Sequence, residues 1–127
     1  CVIGYTALVL GFAQGLVPFQ ANGSIIEADG RAVGSQLIAQ DFKSPRYVWP
    51  RPSAVDYDGM GAGGSNLSPT SPDLAARAAE TVARYGATPE NPVPADLVAA
   101  SGGGLDPHIS LEGALYQARR VAAARGL

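Results

Sequence analysis

The first nineteen positions, CVIGYTALVLGFAQGLVPF, hold no charged side chain and one amide, Gln14. Such a run predicts a membrane span, because about 20 apolar helical residues cross a hydrocarbon core of roughly 30 Å. Its glycines and threonine suit a bilayer helix better than a water-exposed one. The chain opens inside the run without an initiator methionine, so the segment reads as the remainder of a longer span. A buried core helix is one competing reading, and a cleaved secretory signal or a lipid-bearing Cys1 is another. Past Phe19 the acids Glu27 and Asp29 precede the first base, Arg31. A base-poor flank places the following domain on the extracytoplasmic side, since cytoplasmic flanks carry Lys and Arg.

From Ser24 the pattern alternates. In SIIEADGRAVGS two short apolar stretches straddle Asp29-Gly30, which predicts a hairpin, because Asp-Gly supplies the positive φ of a tight turn. SQLIAQDF fits a short helix or a strand equally. RYVWPRPSA, with prolines among aromatic, apolar and basic residues, predicts an extended edge segment. Residues 59–72, GMGAGGSNLSPTSP, have no period and predict a long loop.

Helical spacing then returns. Leu74, Ala78, Val82 and Tyr85 form an apolar face, with Ser71 as N-cap, Pro72 at the first helical position, Asp73 on the dipole and Gly86 as the stop. Asp73 with Arg77, and Glu80 with Arg84, stand at i,i+4 on a solvated face. A proline-rich connector, ATPENPVPA, leads to a short helix in ADLVAAS. Ser110 caps a last helix from Leu111 to about Arg125, ended by Gly126, with Arg119, Arg120 and Arg125 toward its negative pole. The expected fold is α+β: a partial transmembrane helix over residues 1–19, then a small mixed soluble domain over 20–127 with two longer helices and short strands. The chain is expected to be cut at its C-terminal end as well.

At 127 residues the chain has material for one modest core. Its 9 basic and 11 acidic side chains are scattered, which excludes nucleic acid as a partner. A single cysteine excludes an internal disulfide and a multi-cysteine zinc site.

Three stretches carry candidate chemistry. SGGGLDPHIS, residues 101–110, holds the one histidine, His108, beside Asp106 and Ser110. Lacking a second histidine it is a poor metal site, and Ser110 serves better as a helix cap than as a nucleophile. A tightly turned helix entrance accounts for it. GMGAGGSN has glycines enough to cradle a phosphate, yet lacks the Gly-Lys-Ser/Thr ending and the flanking strand and helix of a phosphate loop. Arg51-Pro52-Ser53 sets a guanidinium beside a rigid bend, fit for a structural ion pair.

Taken in order, FQANGSII, GSQLIAQDF, RYVWPRPSA, GGSNLSPTSP, PVPADLV, SGGGLDPHIS and RVAAARGL resemble the successive motifs of the KdpC family, the small subunit of bacterial Kdp potassium-transporting ATPases. The likeness covers nearly the whole chain, and SGGGLDPHIS is similar to the family pattern SGxGLDPHIS. It departs at Ala39, Ser68, Ser71, Gly103 and Leu111, all small loop or cap changes. The resemblance implies a single-pass subunit of the bacterial cytoplasmic membrane, in contact with the lipid bilayer. Its implied partners are a P-type ATPase subunit, a channel-like potassium-binding subunit and a very small fourth subunit. It implies no catalytic residues, no metal and no firmly bound cofactor, although ATP binding is also ascribed to the family. On the matching motifs, the interface or structural candidates are Gln40, Arg51, Ser53, Gly64, Ser65, Asn66, Asp106, His108 and Arg120. The role implied is an accessory, assembly-stabilising subunit of a high-affinity potassium import complex, and the alternative is a nucleotide-binding module that raises the ATPase subunit's affinity for ATP.

Overall fold

Pro18 decides the course of the apolar N-terminal run. A proline disfavours the α conformation in the residue before it, and Val17 leaves helical geometry at φ −135°, ψ 52°. The run divides into α1, Val2–Leu16, and a four-residue α2, Pro18–Ala21. At about 1.5 Å per residue, the 15 residues of α1 extend about 22 Å before the break at Val17. No helix among the described residues is long and apolar enough to cross a membrane. The transmembrane helix expected over residues 1–19 is therefore corrected: composition favoured a continuous span, and the proline interrupts it. Past the break the amides of Gln14 and Asn22 pair reciprocally at 3.2 and 3.3 Å, and Asn22 also donates to the Pro18 carbonyl at 2.7 Å.

The computed structural model describes residues 2–127, and the chain forms two compact units, Cys1–Ile38 and Ala39–Leu127. The first continues into the expected hairpin. Strands β1, Ile25–Ala28, and β2, Arg31–Ser35, pair antiparallel about Asp29-Gly30, with both turn residues at positive φ (51° and 71°). Ile25 faces Ser35 and Ala28 faces Arg31, with a bulge between Ile26 and Glu27. Ser24, 2% exposed, ties the hairpin base: its amide donates to Phe19 O and its carbonyl accepts from Gln36 N. Ser35 ends β2, and residues 36–42 form turn and irregular chain, so the rest of SQLIAQDF is neither helix nor strand.

The second unit is built on α3, Pro72–Tyr85, α4, Ala95–Val98, and α5, Leu111–Arg125. The two longer helices begin and end where their caps predict. Gly86 and Gly126 close them in the left-handed conformation, and Ser110 Oγ accepts from Gly113 N at 2.8 Å. Ser71 precedes α3 as expected, but its side chain makes no capping bond. Short α4 puts Leu97, fully buried, at the centre of the core. Helix α5 closes on it at Gly113, where a Cβ would lie 3.2 Å from Leu97 Cδ2.

The segment read as an extended edge, RYVWPRPSA, begins in a turn at Arg46, continues over residues 48–53 without regular structure and joins no sheet. Its polar backbone is satisfied by α5 instead. Trp49 N donates to Gln117 Oε1 at 2.8 Å, and Gln117 Nε2 donates to Trp49 O at 3.0 Å. One turn on, Arg120 donates to the carbonyls of Pro45 (2.7 Å) and Tyr47 (3.2 Å), and Arg125 Nε to that of Arg46 (2.8 Å). The segment runs antiparallel to the helix. The buried main chain at Trp49 needs such partners, and side chains of one helix face provide them where a ladder does not.

Candidate functional site

The motifs singled out in the sequence meet in one cluster, built from residues 51–66 and 101–108. Arg51 leaves the RYVWPRPSA segment half-buried. Its Nη1 lies 3.4 Å from Asp106 Oδ2, and its Nη2 donates to Ala100 O at 3.4 Å. Asp106 then turns its other oxygen to His108, accepting from the backbone amide at 3.0 Å and lying 2.8 Å from Nδ1. These two contacts with His108 hold the Asp106 carboxyl below the usual carboxylate range, with a smaller contribution from Arg51. The His108 ring projects outward, 88% exposed.

Ser53 works on the backbone. Its Oγ accepts from Val55 N (3.1 Å) and Tyr57 N (3.0 Å), which holds Asp56 and Tyr57 at positive φ (51° and 58°). Non-glycine residues rarely adopt that region, and a pair of them must be held by their surroundings. The Tyr57 hydroxyl closes the turn by donating to Arg51 O at 2.8 Å. Burial pushes its pKa up, and nearby Asp41 adds to the rise.

The glycines serve close packing. Gly104, at φ +72°, leaves no room for a side chain: a Cβ would lie 2.5 Å from Val55 Cγ2 and 2.8 Å from Gly63 O. A Cβ on Gly64 would meet Gly102 O at 2.8 Å. The Gly63 amide donates to Gly103 O, and Ser101 N to Pro52 O. Thus the glycine-rich stretch considered as a phosphate cradle is pressed against a second glycine-rich loop, with the Gly63 amide already bonded. Beside it Ser65 is half-buried, and Asn66, at φ 50°, donates to Gly64 O at 3.3 Å. Gln40 is half-buried next to Ala39, whose amide donates to Leu105 O at 2.8 Å.

Of the sequence candidates, then, Arg51, Ser53, Gly64, Ser65, Asn66, Asp106 and His108 come together, and Gln40 adjoins them through Ala39. Arg120 belongs elsewhere, on Trp49, with its guanidinium 3.6 Å from the ring centroid. Ser110, weighed as a nucleophile beside His108, instead caps α5 and donates its amide to Asp96 Oδ2 at 2.9 Å. Among the described residues no group of three or more His, Cys, Asp or Glu could hold a metal ion.

Sequence reasoning missed Tyr57, Gln117 and Trp49. Tyr57 and Trp49 stand inside or beside recognised motifs, but nothing local marks the bonds they make. Gln117 carries no signal beyond its position on the face of α5 that includes Gly113.

A family model described as KdpC: K+-transporting ATPase, c chain, matches residues 1–127. The potassium-transporting ATPase KdpC subunit of Parvibaculum lavamentivorans is 68% identical over 128 residues, covering 100% of this chain and 68% of that protein. That of Sorangium cellulosum is 55% identical over 129 residues, covering 97% of this chain and 68% of that protein. That of Xanthomonas campestris pv. campestris is 49% identical over 128 residues, covering 98% and 61%.

Proposed function

Because this chain belongs to the KdpC family of potassium-transporting ATPase subunits, we propose that it acts as an accessory subunit that stabilises the assembled complex and carries out no chemistry of its own. The observation that carries this reading is the fate of the motif residues. Arg51, Ser53, Asp106 and the glycines Gly64 and Gly104 contact one another's loops. Their polar groups are spent on bonds to one another's loops, whereas a catalytic centre needs convergent free groups. Preorganised loops lower the entropy cost of docking, and that is how such a cluster serves assembly. On this reading hydrolysis of ATP belongs to a P-type ATPase subunit, and ion selection to a channel-like subunit, with a very small fourth subunit beside them. The partners are named by the family resemblance.

The test is a pull-down of the tagged full-length protein from gently solubilised membranes of potassium-starved cells, with partners identified by mass and potassium-stimulated ATPase assayed on the eluate. Co-purification of the other subunits with active turnover is expected. His108→Ala and Arg51→Ala should lower the yield of assembled complex while leaving turnover per assembled complex unchanged. Loss of turnover in a fully assembled His108→Ala complex would overturn the non-catalytic reading.

A further inference from the structure

One edge of the second unit gathers arginines that enter none of the ion pairs among the described residues. Arg84 and Arg120 both rest on the Trp49 ring, 4.0 and 3.6 Å from its centroid. The Arg125 bond to Arg46 O brings the end of α5 to the same segment. The ion pairs among the described residues join Lys43 to Asp41, and Arg51 and His108 to Asp106. None of Arg46, Arg84, Arg120 or Arg125 takes part in one. Arg46 makes no side-chain hydrogen bond, and Arg84 makes only a long one, 3.5 Å to Phe42 O. Burial pushes the Arg120 pKa down and the neighbouring Arg84 charge adds to the fall, while Tyr85 opposes it.

Like charges held close and joined in no ion pair repel one another. An acid brought from outside relieves that repulsion. The guanidinium fork matches a carboxylate bidentately, and arginine beside exposed aromatic and apolar groups, here Tyr47 and Val48, is the composition of protein interfaces. Attraction to an anionic membrane surface calls instead for clusters of mobile basic side chains. Here Arg120 and Arg125 are pinned by main-chain carbonyls, and the nearest lysine, Lys43, is already paired.

We infer that Arg46, Arg84 and Arg125, grouped about Trp49 and residues 45–48 where Arg120 fixes the main chain, form a docking surface for an Asp- or Glu-bearing segment of another subunit of the ATPase complex. This rests on the accessory-subunit reading.

The experiment is made on the complete complex with the full-length chain. Arg46→Lys places a reactive amine at a side chain that makes no internal bond, and a zero-length carbodiimide then joins that amine to any carboxylate in contact. Mass spectrometry is expected to find position 46 joined to an Asp or Glu of another subunit. Arg46→Glu combined with Arg84→Glu should lower retention of the chain in the complex by about tenfold or more, as for other charge pairs across interfaces, and charge reversal of the cross-linked acid should restore it. A cross-link found only within the chain, or none, or normal retention of the double variant, overturns the docking surface while the accessory reading stands. Loss of binding to phosphatidylglycerol vesicles in the double variant, with assembly unchanged, also overturns it and assigns the edge to lipid. Failure of the wild-type chain to co-purify with any other subunit overturns both.

Discussion

Gln117 and Trp49, 68 positions apart, exchange two hydrogen bonds between one amide side chain and the main-chain N–H and C=O of one residue. Gln117 is 1% exposed and Trp49 8%, so water cannot replace either bond. Gln117→Leu keeps the bulk and strands a buried N–H and C=O. Each unsatisfied buried group costs about 1–3 kcal/mol, so for the two groups a loss of roughly 2–6 kcal/mol is expected in the urea unfolding free energy. A loss below about 1 kcal/mol would mean that the segment relaxes onto other partners.

Two neighbouring glycines should respond oppositely to one methyl group. Gly104→Ala forces a Cβ against Val55 and the Gly63 carbonyl at φ +72° and should cost at least about 2 kcal/mol, from strain and overpacking together. Gly103→Ala meets nothing within 4 Å and should stay within about 0.5 kcal/mol. Thermal melts of the two variants decide this.

Ser110 and Ser71 occupy the same place before their helices, but only Ser110 bonds the helix. Ser110→Ala should lower stability by about 1 kcal/mol, the usual worth of an N-cap, and Ser71→Ala by a few tenths at most. Chemical denaturation of both variants checks the difference.

Acid should remove the Asp106 contribution. Its carboxyl is held below the ordinary value by His108, so the stabilisation is complete above about pH 4, the unfolded carboxylate pKa, and is lost as pH falls through the lower folded value. The stability gap between the wild type and Asp106→Ala should be constant from pH 5 to about 6, below which range it narrows. A gap that widens on acidification contradicts the assignment.

Local chemistry was legible and distant pairing was not. The hairpin at Asp29-Gly30, the stops at Gly86 and Gly126 and the start at Ser110 each depend on residues within a few positions, and each stands where the sequence puts it. The apolar N-terminal run misled because nineteen uncharged positions outweighed one proline, although the effect of Pro18 on Val17 is equally local. Arg84 was placed on a solvated face by its i,i+4 spacing from Glu80, yet it reaches back over Trp49. Within the candidate cluster the residues were legible from the family's motifs, but not their arrangement. The Arg51–Asp106 contact and the fit of Gly64 against Gly102 join motifs that lie far apart in the chain.

The bonds that α5 makes to residues 45–49 also set an order of events during synthesis. Separations of 68 to 79 residues divide these partners, so the earlier segment leaves the ribosome long before the helix that satisfies its main chain exists. With a ribosome adding about 5–20 residues per second, that segment waits for seconds with its carbonyls and amides open to water or to chaperones. The second unit should therefore close late and in one step, once the last helix has emerged.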